Sequence, residues 1–110
     1  MSGQVNPATG ANPWRGEARL VALGREYVLR PSFAALVAAE EELGSLFALV
    51  ERAAEGKLQL RETVGLFWHC LADKEKIARE ELAEAVAATG LAAATAPLRR
   101  LLEQIVQGAG

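Results

Sequence analysis

Pro31 divides this chain into two stretches of different periodicity. Proline holds φ at about −65° and has no N–H to offer a ladder, so any strand before it must end there. Between Glu17 and Arg30, apolar and polar residues alternate around Gly24-Arg25. That pattern predicts a β-hairpin over 17–30, with glycine at the first central position of a II′ turn. Two strands alone are marginal in water, so the hairpin must lie on helices or pair with another strand, and it presents free edges.

After Pro31 the apolar spacing becomes helical and glycines punctuate it. Ser32 is placed to cap a helix over 32–43, with Phe33, Leu36, Val37 and Leu43 on one face and Gly44 as its stop. Ser45 is placed to cap a second over 45–55, with Leu46, Leu49, Val50 and Ala53 inward and Gly56 beyond its end. The third, 60–72, carries Leu60, Val64, Phe67, Trp68 and Leu71, broadened by Leu66 and Cys70, and is predicted to be the central, most buried helix. A charged link over 73–76 leads to a fourth helix over 78–89, ended by Gly90. A fifth over 96–107 is expected to start near Pro97, because a first turn tolerates proline, and to stop at Gly108. The fold class is therefore α+β, mostly α: an N-terminal β-hairpin followed by a compact bundle of about five short helices. Residues 1–13, rich in Gly, Pro, Asn, Ser and Thr, read as a flexible tail, and 14–110 as a single globular domain.

Composition narrows the function. With 51% hydrophobic residues, 110 residues can fill one core without disulfide or metal. The 12 basic and 14 acidic side chains leave a net charge of −2, so no strong pull toward nucleic-acid phosphates or anionic lipid is expected. Nothing approaches about 18 consecutive apolar residues, and the N-terminus has neither the basic nor the apolar region of a secretory signal. With a lone cysteine, Cys70, these features point to the cytoplasm and away from a membrane.

Catalytic constellations are sparse. The single histidine, His69, is adjacent to Cys70 on a helix, where neighbours project about 100° apart and cannot form a nucleophile pair. One His, one Cys and scattered carboxylates lack the spacing of a metal site, and Ser32 and Ser45 are explained as helix caps. No phosphate-cradling glycine loop occurs. The expectation is a non-enzyme with no cofactor and no metal.

The residues that invite a binding role are Glu40, Glu41, Glu42, Trp14, Tyr27, Gly65 and His69. Three acids in the last turn of a helix oppose its macrodipole. Either the N–H groups of the helix opened by Ser45 accept their charge, or they form an acidic surface for a basic partner segment. Trp14 is either a packing lid over the hairpin or a partner anchor. The stripe Glu62, Gly65, His69 and Ala72 is small and weakly polar, suited either to internal packing or to a docking helix. Arg99-Arg100, with Arg61 and Arg79, are the residues that a DNA-binding reading would use.

The ordered series Asn12-Pro13-Trp14-Arg15-Gly16-Glu17, Leu29-Arg30-Pro31-Ser32-Phe33, Ala39-Glu40-Glu41-Glu42-Leu43-Gly44 and Phe67-Trp68-His69-Cys70-Leu71 is similar to the tail assembly chaperones of gene transfer agents and siphophage-like tails. The likeness runs from Asn12 to Gly108. It departs at Ala78, where the family pattern has a Ser or Thr cap, which leaves Asp73 as the candidate cap of an earlier turn. The resemblance implies a cytoplasmic helper, not part of the virion, that binds and shields the tape-measure protein until tail-tube subunits polymerise around it. It implies the tape-measure and tail-tube proteins as partners, and the hairpin edge allows copies of the chain to join by strand addition. The alternatives are a small helical DNA-binding regulator or a generic protein–protein adaptor.

Overall fold

A computed structural model of the chain describes residues 17–108. The proposed tail over 1–13 and Trp14 lie outside the described residues. A two-stranded antiparallel hairpin, β1 (Ala18–Ala22) and β2 (Arg25–Leu29), precedes five helices. These are α1 (Phe33–Leu43), α2 (Leu46–Ala54), α3 (Leu60–Cys70), α4 (Arg79–Thr89) and α5 (Leu91–Gln107), with a 3-10 turn at Lys74–Lys76 before α4.

The hairpin alternates as strands on a core must. Ala18, Leu20, Ala22, Tyr27 and Leu29 are buried, while Arg19 and Val21 face out. The turn differs from the sequence expectation. Ala22 pairs with Arg25, so the two turn residues are Leu23 and Gly24, with φ of 52° and 76°. Positive φ at both central positions makes this a type I′ turn, whose twist matches that of the strands. The Leu23 N–H donates to Thr89 Oγ1 at 2.8 Å, which helps hold a leucine in a conformation that side chains disfavour.

α3 is the centre of the helical layer. Thr63, Val64, Gly65, Leu66, Phe67 and Cys70 are all buried, and Phe67 is the largest fully buried side chain. α1 packs on α3, while α4 and α5 lie against β1, so the core gathers Leu20, Leu29, Leu66, Phe67, Leu82 and Leu101. α2 packs chiefly on α1 and contributes Leu49 as its buried residue. No helix is long and apolar enough to cross a membrane among the described residues.

Three helix expectations are corrected. Phe33 does not face inward: it is 85% exposed, and Ala39 is the buried residue of α1. Leu60 is also exposed, at the open first turn of α3. α5 starts at Leu91 rather than near residue 96, with Pro97 inside it. Gly90, at φ 107°, ends α4 and opens α5 without a linker, and the Leu- and Ala-rich run before Pro97 favours helix strongly enough to carry the proline. Asp73 caps the 3-10 turn by accepting the Glu75 N–H at 3.1 Å. Ala78 precedes α4 with no side-chain acceptor of its own, and Glu81 Oε1 accepts its N–H at 3.0 Å instead.

Candidate functional site

Two of the three acids at the end of α1 have partners within the chain, while all three are exposed. Glu40 Oε2 accepts the Leu46 N–H at 3.1 Å, where α2 begins with unsatisfied donors, and Ser45 Oγ accepts from Ala48 N. Glu42 bridges two other helices: it accepts from both Arg79 terminal nitrogens and lies 2.7 Å from His69 Nε2. The Arg79 hydrogen bonds, and then that of His69, hold the Glu42 carboxyl well below the usual carboxylate range, at about 2. Glu41 alone of the three is exposed with no side-chain partner among the described residues. Glu40 and Glu42 are thus committed to contacts within the chain while staying exposed, and Glu41 faces outward beside them.

The other predicted contact residues separate. Tyr27 is 5% exposed and belongs to the core, because its place in β2 points inward, so it offers a partner little to touch. Gly65 is buried beneath Leu43 and Arg79, which fixes the small-residue stripe there as internal packing of α1 and α4 on α3. His69 is half-buried on Glu42. Of the basic residues a DNA-binding reading would use, Arg79 is spent on Glu42, while Arg99 and Arg100 remain exposed on α5. Cys70 is buried, and desolvation pushes its thiol up to about 12, far from a reactive thiolate. No three metal-ligand side chains converge among the described residues.

Large apolar side chains are exposed as well. Phe33 opens α1 and Phe47 lies in the first turn of α2, 85% and 84% exposed, and Val37 sits one turn after Phe33. Single exposed apolar residues are ordinary, but two nearly naked phenylalanines on consecutive helices are what a partner surface needs. Between α2 and α5 runs a groove of about 500 Å³ whose lining includes Val50, Leu98, Leu102 and Val106 beside the charged Arg99 and Glu103. Leu98, Leu102 and Val106 recur every four residues along α5, one stripe left partly uncovered. Sequence periodicity could not find this surface, since it assigned the same kinds of residue to the core.

The hairpin edges are unequal. Leu71 forms an antiparallel bridge with Leu29: Arg30 N donates to Cys70 O at 2.6 Å and Ala72 N to Val28 O at 2.9 Å. Part of the outer edge of β2 is thereby closed. In β1 the backbone groups of Arg19 and Val21 point away from β2 by register and have no backbone partner among the described residues.

The fold is a hairpin leaning on a small helical bundle, with apolar side chains left exposed at helix starts. Residues 15–108 match the family described as phage tail tube protein, GTA-gp10, and the chain belongs to that family. No curated protein and no solved structure matches it.

Proposed function

We propose that this chain is a cytoplasmic tail assembly chaperone, which holds and shields the tape-measure protein until tube subunits enclose it. The observation that carries the reading is the exposure of Phe33 and Phe47, large apolar surfaces that a chain acting alone gains nothing by displaying. The groove between α2 and α5 offers the apolar stripe of Leu98, Leu102 and Val106, with Arg99 and Glu103 beside it, to an amphipathic helix. Membership in a tail family supplies the setting. The role is one of binding without catalysis, and the buried, unreactive Cys70 and a His69 hydrogen-bonded to Glu42 are in keeping with it.

A second reading follows from the family's description as a tail tube protein: the chain would be a subunit of the tube itself. The open outer edge of β1 favours it, because strand addition is a direct way to link identical copies into a ring. Co-expression separates the two. A chaperone brings the tape-measure protein into the soluble fraction as a complex, and Phe33→Asp with Phe47→Asp abolishes that complex. If the tape-measure protein stays insoluble and unbound beside the unaltered chain, the chaperone reading is wrong.

A further inference from the structure

We propose that a cavity at the N-terminal end of α1 receives a carboxylate-bearing, partly apolar segment of another protein chain. The proposal rests on the protein-holding role above and names the chemistry of one contact. The cavity holds about 330 Å³, and its walls include Arg30, Ser32, Ala34, Ala38, His69 and Lys74, with no Asp or Glu among the described lining residues. In a chain of net charge −2, a pocket whose described lining residues carry basic, hydroxyl and apolar side chains stands out from the average of the surface.

The charge there is only partly used. Arg30 gives Nε to Glu17 Oε2 at 2.6 Å, a carboxylate whose side chain is 2% exposed, while the Arg30 side chain itself is 47% exposed and keeps its outer donors. Lys74 Nζ donates to the carbonyls of His69 and Leu71 at 3.0 and 3.3 Å, closing the end of α3, and no carboxylate pairs with it among the described residues. An ammonium has three protons, so one remains. Ser32 Oγ accepts from Ala35 N, whereas the Phe33 and Ala34 N–H groups have no acceptor among the described residues, and they form the positive end of the α1 dipole. Arg30, Lys74 and the Ala34 end of α1 thus line one space.

Size and surroundings choose the occupant. A space of this volume takes a side chain or two and is too small for a helix. Phe33 and Val37 stand exposed on the same helix that forms one wall, so a chain entering the cavity with a carboxylate lays its neighbouring apolar residue against them. That combination fits an acidic segment of a protein better than a free anion, which would leave both apolar groups uncovered.

The test titrates the full chain with a fluorescein-labelled peptide in which two glutamates flank a Leu-Phe pair, and with the same peptide carrying glutamines. The glutamate peptide is expected to bind, the glutamine peptide about tenfold more weakly or less, as for loss of charged hydrogen bonds. Binding should fall with added salt. Ala34→Glu puts a carboxylate in the first turn of α1, where the dipole favours it, so the melting temperature should hold while peptide affinity falls by about tenfold. Lys74→Gln is the second variant and should weaken binding in the same direction. Equal affinity for the two peptides, no binding of either, displacement by an equal concentration of inorganic phosphate, or a folded Ala34→Glu chain that binds undiminished would each overturn the cavity. Co-expression of Ala34→Glu with the tape-measure protein separates this contact from the wider role. A complex lost only in the variant supports the cavity. One kept by both chains removes the cavity and leaves the role, and one formed by neither removes the role, with the peptide titration still deciding the cavity.

Discussion

The backbone N–H of Leu23 donates to the hydroxyl oxygen of Thr89 at 2.8 Å, joining the hairpin turn to the last residue of α4 across 66 positions of sequence. Leucine in the left-handed region costs on the order of 1 kcal/mol, and asparagine tolerates that region better. Leu23→Asn should therefore raise stability by about 0.5–1 kcal/mol in urea unfolding, since Leu23 is 62% exposed and buries little. Thr89→Val, which keeps the shape and removes the acceptor, should lower it by about 1 kcal/mol.

Glu42 makes stability depend on acid. Its folded pKa of about 2 lies below the ordinary 4.5, so the unfolded chain binds that proton first as pH falls. The stabilisation is complete above about pH 5 and disappears as pH drops from there toward 2. Melting temperatures of the unaltered chain and of Glu42→Gln should differ most near neutral pH and converge near pH 2. A constant difference across that window would mean that the Arg79 and His69 contacts do not act through the charge of Glu42.

Gly65 sets the distance between α3 and its neighbours. A Cβ there would lie 3.1 Å from Leu43 Cδ2 and 3.2 Å from Arg79 Nη2, while Arg79 is itself held by Glu42. Gly65→Ala should be close to neutral, because the gain of about 1 kcal/mol in helix propensity offsets a shift of a few tenths of an ångström. Gly65→Val adds bulk that Leu43 must yield to, and should cost about 1–3 kcal/mol in chemical denaturation.

Cys70 should be inert while the chain is folded. Burial raises its thiol to about 12, so at pH 8 almost no thiolate forms and reagent cannot reach the sulfur. Labelling with a maleimide is expected to be negligible in buffer and complete in denaturant. Rapid labelling in buffer would indicate that α3 opens readily at its C-terminal end.

Much of the architecture follows from local rules visible in the sequence. Pro31 ends the hairpin, Ser32 and Ser45 accept N–H groups at their helix starts, and Gly44, Gly90 and Gly108 close helices with positive φ. The apolar crowding of 60–70 marks α3 as the centre. What escaped local rules depends on distant residues. The turn lies one position earlier than the local pattern predicts, and Thr89, far along the chain, supports Leu23 there. Phe33 turned outward because the contact of α1 with α3 is made around the small residue Ala39. The use of Glu42 depended on Arg79, 37 residues away, which no spacing rule connects to it. The partner surface was hidden for a related reason: Phe33 shares its predicted face with Leu36 and Leu43, and Phe47, off the predicted inward face of its helix, stands out only once the fold shows the core already filled by Phe67 and its neighbours.

Whether the chain helps build the tail or is built into it can be measured by quantitative mass spectrometry of purified particles beside the lysate that produced them. A chaperone is abundant in the lysate and absent, or far below one copy per tube subunit, in the particle. Recovery in the finished tail at a level equal to the tube's repeating subunit would contradict the chaperone role and make this protein a piece of the tube wall.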